Sequence, residues 1–397
     1  MKKLMARNVC LSFILTLGVF LIAGCGGDCG VFIPFPDTTR PTVISTVPAN
    51  GATGVSPATK ITATFSEPMD PATITTTTFT VVPTPVAPVK QVAAAVTGTV
   101  TYSGVTAVFT PASPLAERTS YTGTITTGAK DPSGNALASN YVWTFTTGIA
   151  PIPLGAAAPF GGYGGGSAGM TNQGTLTVIT GDIGTTGAST TMTGFHDSVG
   201  DIYTETPLNK GTVNGRIYTA PPPPGGAGVG GTAVTFAIAT AAASDALSAY
   251  NSISPASLPG GVDPGAGQLG GLTLAPGIYK AAGGTFLLTG SDLTLDGQGD
   301  PNAVWVFQTA AGLTVGAPGF PRNIILINGA QAKNVFWYVG SAARIEDRCN
   351  MVGTIIASAG VTISTAGQLS TTTLEGRALG LNASVTVVNT LINMPAQ

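Results

Sequence analysis

One three-residue pattern, apolar–Thr–apolar, recurs through the second half of the chain and constrains its fold more than any other feature. The copies that form the series are Leu176-Thr177-Val178, Leu272-Thr273-Leu274, Leu293-Thr294-Leu295, Leu313-Thr314-Val315, Val361-Thr362-Ile363 and Val385-Thr386-Val387. From Thr273 onward the central threonines stand at positions 273, 294, 314, 362 and 386, and the interval from 314 to 362 is twice that from 362 to 386. A repeat of about 20 to 24 residues fits this series and is typical of a solenoid, in which each turn of chain stacks on the last.

Side-chain alternation along a strand predicts where these threonines point. Neighbouring residues face opposite sides of a strand, so the flanking Leu, Val and Ile face a core and the central Thr faces out. Stacked turns would place successive threonines about 4.8 Å apart, the spacing of hydrogen-bonded strands. We therefore predict one outward face made of the six central threonines, with Ser364 and residues 371–373 as outlying candidates.

Three further segments, 304–307, 324–327 and 335–338, are apolar at every position. Strands of that kind need cover on both faces. Residues 233–250 offer a helix for this purpose. The apolar positions at helical spacing are Phe236, Ala239, Ala243, Leu247 and Tyr250. The carboxy-terminal part, residues 154–397, is thus predicted to be a β-solenoid with one long α-helix packed alongside.

The first half of the chain has a different pattern. Short segments between residues 41 and 148 alternate with period two at spacings that suit an antiparallel β-sandwich. The stretches PTVISTVPANGATGVSP, TATFSEPMDPATI, YTGTITTGAKDPSGNAL and WTFTT closely resemble the bacterial Ig-like module of exported proteins. That resemblance implies a spacer domain and a turn rather than a calcium loop at residues 131–135. The Pro-containing segment 149–153 is predicted to be a linker, so we expect an all-β chain of two domains.

The amino terminus predicts export. A basic start and a short apolar run, ending in Ile22-Ala23-Gly24-Cys25, resemble a bacterial lipoprotein signal. The resemblance implies a signal peptide at 1–24, lipid on Cys25 and a tether at 25–40. Asp28 is not adjacent to Cys25, which favours the outer membrane or cell surface. A Cys29–Cys349 disulfide and two free thiols both remain open.

The composition argues against nucleic-acid binding, metal binding and catalysis. Charged residues are 9% of the chain and the formal net charge is −2, so no basic surface for nucleic acid is expected. A single histidine, His196, leaves no multi-histidine metal site, and we predict no cofactor and no metal. The acidic residues Asp182, Asp292, Asp296 and Asp300 are scattered, unlike the clustered acids of a β-helical polysaccharide lyase. We therefore predict that the chain is not an enzyme.

Several segments of the second half resemble the ice-binding (antifreeze) protein family, in the same order. They are VITGDIGTTG, GGLTLAPGIYK, LTLDGQGDPNAVWVFQ, INGAQAKNVFWYVGSAARIE, VGTIIASAGVTI and LEGRALGLNASVTVVN. The resemblance implies an irregular β-solenoid with a helix alongside and a flat, Thr-bearing face that contacts ice. Two features depart from it. No repeated Thr-Ala/Gly-x-Thr/Asn motif is found, and the charged residues at 344 and 346–348 are expected to form a solvated loop.

We therefore predict a lipid-anchored, monomeric ice-binding protein at the cell surface. Its expected partners are ice or ordered water, and the membrane. The threonines assigned to its ice face are Thr177, Thr273, Thr294, Thr314, Thr362 and Thr386. The alternative is a surface adhesin or envelope-structural protein that uses the same fold without contacting ice. A continuous uncharged plane of Thr and Ser would favour ice, whereas grooves or aromatic side chains would favour adhesion.

Overall fold

The computed structural model describes residues 37–84, 94–222 and 230–395. The predicted signal peptide and the lipidation site Cys25 lie outside these residues, as does Cys29. The described residues from Thr39 onward belong to one compact unit. As predicted, these described residues are mostly β structure with one long helix.

The amino-terminal domain consists of two four-stranded sheets. In spatial order the first contains Val43–Val47, Ile61–Phe65, Thr106–Pro111 and Gly98–Ser103, and the second contains Ala52–Val55, Tyr141–Thr147, Ser120–Ile125 and Phe79–Pro83. All pairs are antiparallel except Ala52–Val55 with Tyr141–Thr147. Alternate residues of both sheets, among them Phe65, Phe109 and Trp143, fill one core. Asp131 closes the turn at 131–135 by accepting from the backbone nitrogen of Asn135.

The carboxy-terminal domain has three parallel arrays of strands around one core. We call the first the Thr sheet; its six strands in spatial order are Phe286–Leu288, Leu313–Val315, Ala343–Ile345, Val361–Ile363, Val385–Val387 and Met170–Asn172. We call the second the short sheet; its strands are Thr273–Leu274, Leu293–Asp296 and Ile324–Ile327.

The third array is a thirteen-stranded sheet, here called the large sheet. The main path in spatial order is Ile202–Tyr203, Phe195–His196, Gly211–Val213, Val178–Ile179, Thr390–Asn393, Thr372–Gly380, Asn350–Ala357, Val335–Val339, Trp305–Thr309 and Gly277–Lys280. Phe160–Tyr163, Asp182–Ala188 and Ile217–Ala220 join it from the side. All pairs are parallel except Phe195–His196 with Ile202–Tyr203. Short 3-10 turns lie at Pro71–Thr73, Gly155–Ala157, Ser189–Thr191 and Ala332–Asn334.

The turns of chain differ in length, so the expectation of one repeat of about 20 to 24 residues throughout is wrong. Along the Thr sheet the central residues of successive paired strands stand at positions 287, 314, 344, 362 and 386, and no two of these intervals are equal. Thr294 and Thr314 are not on neighbouring turns. The strand Trp305–Thr309 lies between them in the chain, so they sit on two sides of the same turn.

The single long helix is Ala233–Ser252, and it begins with a capping box formed by Thr232 and Thr235. It carries the chain from Ile217–Ala220 to Gly277–Lys280, seven strand steps away in the large sheet. Twenty helical residues span about 30 Å, close to seven spacings of about 4.8 Å. By length and composition this helix could also cross a membrane, but its alanine face packs on the sheet. The helix therefore bridges the two ends of the stack.

The helix covers the outer side of the large sheet through small side chains. Ala239, Ala242, Ala246 and Ala249 are buried in one cluster with Val306, Phe336, Ile356 and Leu379 of the strands below. The Tyr163 hydroxyl donates to the Ala239 carbonyl over 2.9 Å, and the rings of Tyr250 and Tyr338 stack 4.2 Å apart. The prediction that a helix covers strands 304–307 and 335–338 is confirmed.

Two details of that prediction are wrong. Phe236 and Leu247 are 39% and 48% exposed, because alanines, not the larger side chains, let the helix approach the sheet. The strand Ile324–Ile327 belongs to the short sheet and not to the helix-covered surface. Its Ile325 is 43% exposed.

The two domains contact each other directly. Asp300 accepts from the backbone nitrogen of Ser56 over 2.9 Å, and Gly54 packs so tightly on Pro276 that a Cβ there would lie 2.4 Å from the Pro276 oxygen. Ile149 of the connecting segment is buried in the cluster beneath the helix. The segment is thus packed against the carboxy-terminal domain.

Candidate functional site

Each strand of the Thr sheet presents one outward residue between two inward ones. The inward residues, such as Leu313 and Val315, are buried in the core, and the central residue is partly exposed. Parallel register aligns the central residues in one row: Leu287, Thr314, Arg344, Thr362, Thr386 and Thr171. A further parallel bridge adds Thr193 beyond Thr171.

The row contains an unbroken ladder of four threonines, which we call the Thr ladder: Thr362, Thr386, Thr171 and Thr193. Adjacent members are about 4.8 Å apart because they occupy neighbouring hydrogen-bonded strands. Within the described residues, none of the four hydroxyls bonds to another protein group. β-Branched side chains are restricted at χ1, so the ladder holds methyl and hydroxyl groups at a fixed spacing.

A second row of mostly small residues lies beside the central row, two positions before each central residue and just ahead of its strand. Its members are Thr285, Gly312, Ala342, Gly360, Ser384 and Gly169. Their carbonyls continue the sheet hydrogen bonding, as in Val361 N to Ser384 O at 3.2 Å and Val385 N to Gly169 O at 3.3 Å. The surface beside the ladder is therefore low and regular.

Arg344 interrupts the row between Thr314 and Thr362. Its guanidinium bends away from the row and forms two hydrogen bonds of 2.9 Å with the buried Glu346 carboxylate. It also donates to the Ser364 carbonyl over 2.8 Å and to the Thr365 hydroxyl. Hydrogen bonding to Glu346 raises the pKa of Arg344, so the side chain stays charged.

The expectation of a solvated charged loop at 344 and 346–348 is therefore wrong. Arg344 is a strand residue, and Glu346 and Asp347 are buried. Asp347 pairs with Arg348 at 3.0 Å, after the end of the strand. Ala343–Ile345 has the same buried–outward–buried alternation as the Thr-bearing strands. The sequence pattern did not identify this strand because its central residue is Arg and not Thr.

The prediction of a single face for all six threonines is also wrong. Thr314, Thr362 and Thr386 lie on the Thr sheet. Thr273 and Thr294 lie on the short sheet, where Thr273 is paired with Thr294 and Thr294 with Ile325. Thr177 is buried, donates to the Asn172 side chain over 2.7 Å, and accepts from Thr390 N. Of the outlying candidates, Ser364 and Thr372 are buried and Thr373 is in the large sheet.

The apolar–Thr–apolar pattern does not find Thr171 and Thr193. Thr171 follows Met170 and precedes Asn172, so the pattern excludes it. A broader pattern, small–apolar–Thr, would find it, since Gly169-Met170-Thr171 matches Gly312-Leu313-Thr314 and Gly360-Val361-Thr362.

The surface that carries Thr273 and Thr294 is less uniform. Asp296 and Ile327 occupy its next paired positions. Such a surface mixes charged, polar and apolar groups.

Cys349, the described member of the proposed cysteine pair, is a free thiol in the core. Burial raises its pKa, and its sulfur accepts from the Arg322 backbone nitrogen. It is not part of the outward row.

Comparisons with known proteins agree on both parts of the chain. Residues 165–393 match the ice-binding-like family and residues 37–147 match the bacterial Ig-like domain family. An ice-binding protein of Nostoc sp. (strain HG1) is 35% identical over 235 residues, which are 59% of this chain and 71% of that protein. Ice-binding protein 1 of Shewanella frigidimarina (strain NCIMB 400) is 41% identical over 120 residues, which are 30% of this chain but 13% of that protein.

A solved structure extends the comparison. The glycosylated ice-binding protein from an Arctic yeast is 28% identical, covers 63% of this chain and 96% of its own, and has a TM-score of 0.50. The family match suggests a non-enzymatic function, and the Ig-like domain suggests an extracellular or surface protein. Because its family match spans more than half of the chain, the protein belongs to the ice-binding-like family and carries a bacterial Ig-like domain ahead of that region.

Proposed function

We propose that this protein binds ice through the Thr sheet of an irregular β-solenoid. The observation that carries the proposal is the Thr ladder at 362, 386, 171 and 193, with free hydroxyls and a row of small residues beside it. The family's named relatives, such as the Nostoc ice-binding protein, support ice as the ligand.

The chemistry of the ladder suits ordered water. A threonine methyl group orders the water around it, and the hydroxyl can hydrogen-bond that water at the strand spacing. Restricted χ1 rotation reduces the side-chain entropy lost on contact. The ladder contains no charged side chain, which would hold its own strongly oriented hydration shell.

The proposal includes the location of the protein at the cell surface. Lipid on Cys25, at the end of the lipoprotein signal, would attach the chain to the outer membrane or cell surface, with the tether at 25–40 and the Ig-like domain at 41–148 as spacers. The ice-binding domain at 154–397 would follow the linker at 149–153. A monomer so anchored would hold the cell to ice or modify ice at its surface, since a diffusing antifreeze needs no anchor.

The decisive experiment compares matched double variants of the full chain. Thr362→Tyr with Thr386→Tyr places two rings in the ladder, and Thr273→Tyr with Thr294→Tyr places two in the short sheet, also on adjacent paired strands. Thermal hysteresis and inhibition of ice recrystallisation are measured at equal concentration. Circular dichroism and thermal unfolding establish that each variant is folded.

We expect activity in the parent, retention in the short-sheet variant and loss in the ladder variant. The reverse pattern would assign ice contact to the short sheet. A folded parent without either activity would refute ice binding and leave the surface adhesin as the better hypothesis.

A further inference from the structure

Arg344 occupies a position that bears Thr on both neighbouring strands of the Thr sheet. Thr314 precedes it and Thr362 follows it in parallel register. With a threonine in place of Arg344, the row would run without interruption from Thr314 to Thr193. With Arg344 present, Thr314 is separated from the Thr ladder by two strand spacings, about 9.6 Å.

The contacts of Arg344 hold its charge beside the row permanently. The buried Glu346 carboxylate accepts two hydrogen bonds from the Arg344 guanidinium. The Ser364 carbonyl and the Thr365 hydroxyl, one turn of chain farther on, fix the other side of the group. Four hydrogen bonds from one guanidinium leave little freedom for it to move aside.

A fixed guanidinium carries a hydration shell that does not match the spacing of the ladder. The Arg344 side chain is also longer than the threonine side chains at the neighbouring positions of the row. Contact between a flat solid and the sheet would therefore end at this strand.

We propose that Arg344 is the residue that limits the ice-contacting area, confining it to Thr362, Thr386, Thr171 and Thr193. The inference rests on the proposed function of the Thr sheet. Arg344 acts as a boundary that sets the size of the contact, and Glu346 positions it.

The proposal makes a gain-of-function prediction. Arg344→Thr alone would leave the buried Glu346 carboxylate without its guanidinium partner and so destabilise the fold. The test therefore uses Arg344→Thr together with Glu346→Gln. We expect thermal hysteresis to rise by about twofold or more at equal concentration, because adsorption strengthens with the area removed from water. The unfolding midpoint should change little.

Asp347→Asn with Arg348→Asn is the matched control. It removes an ion pair of the same kind that lies outside the row, and Asn tolerates the left-handed backbone of Arg348 at φ 61°. Activity should equal that of the parent. Arg344→Gln with Glu346→Gln, which removes the charge but leaves a longer side chain than Thr, is the second variant in case the first does not fold, and it should raise activity by a smaller factor.

The outcomes separate the two proposals. An active parent whose activity is unchanged or lowered in the folded Arg344→Thr variant overturns the boundary role of Arg344 and leaves ice binding intact. A rise in the control pair as well would also overturn it, because any loss of surface charge would then suffice. A folded parent and variant that are both inactive refute ice binding and the inference together.

Discussion

Thr171 and Thr386 lie opposite each other on adjacent parallel strands, although Thr171 comes early in the carboxy-terminal domain and Thr386 close to its end. The first strands of the carboxy-terminal domain thus stack beyond its last ones. The helix Ala233–Ser252 then takes the chain to the far end of the stack, from which it returns strand by strand.

This pairing makes Thr171 a testable member of the ladder. Thr171→Tyr should lower thermal hysteresis strongly, because the larger ring would hold the ice surface away from the neighbouring threonines. A gap of about 0.5–1 Å already loses roughly a quarter to a half of the attraction of each contact. Thr273→Tyr, on the short sheet, is the control and should be neutral. Equal activity of the two folded variants would remove Thr171 from the contact surface.

The local pattern of the Thr sheet could be predicted from sequence, but its pairing could not. Triplets such as Leu313-Thr314-Val315 are strands with the predicted buried–outward–buried alternation, because that alternation is a local property. Which strands pair depends on loop lengths. The threonine series alone predicts two equal turns between Thr314 and Thr362. The structure instead has a longer turn that ends at Arg344 and a shorter one that follows it.

The helix illustrates the same limit. Its existence and approximate bounds followed from apolar spacing, but its buried face did not. Periodicity weights large side chains such as Phe236 and Leu247, whereas close approach to a sheet favours alanine, as at Ala242 and Ala246. Only the partner surface decides between these two faces.

The alanine contact predicts a sharp size limit. Ala246→Leu adds three carbons at a fully buried position and should lower the free energy of unfolding by about 1–3 kcal/mol through overpacking. Ala241→Leu, on the exposed side of the same helix, should change it by less than about 0.5 kcal/mol. Denaturant unfolding measures both variants. Equal stability of the two would mean that the helix does not pack as described.

Buried tyrosines predict alkaline unfolding. Burial raises the pKa of Tyr163, Tyr203 and Tyr279 from 10.0 to about 12. The neutral phenol is therefore favoured in the folded state, so this stabilisation is complete below pH 10 and is lost as the pH rises from 10 towards 12. Absorbance at 295 nm should show late-titrating phenols in the native chain and none after denaturation in urea.

Tyr163→Phe refines that measurement. It should remove one late-titrating phenol and cost about 1 kcal/mol at neutral pH, since the hydrogen bond to Ala239 is lost. Native chain whose phenols all titrate near pH 10 without unfolding would contradict the burial of these residues.

The segment between the two domains predicts a fixed junction. Ile149 is buried beneath the helix, and the turn that follows the segment is held at both ends. Asp245 accepts from Ala156 N over 2.7 Å, and Arg377 donates twice to the Ala158 carbonyl. A carboxylate at the start of the turn and a guanidinium at its end also complement its backbone dipoles.

Ile149→Asp should release this junction while both domain cores stay intact, because Ile149 belongs to the cluster under the helix and not to the core of the Ig-like domain. The Asp carboxylate would either leave the cluster or stay buried without a partner. Leaving costs less free energy than burying an unpaired charge. We expect faster proteolysis at residues 149–153 and a larger radius of gyration in X-ray scattering. Ile44→Asp, at an exposed position of the Ig-like domain, is the control and should match the parent in both measurements. If Ile149→Asp also matched the parent, the connecting segment would contribute nothing to holding the domains together.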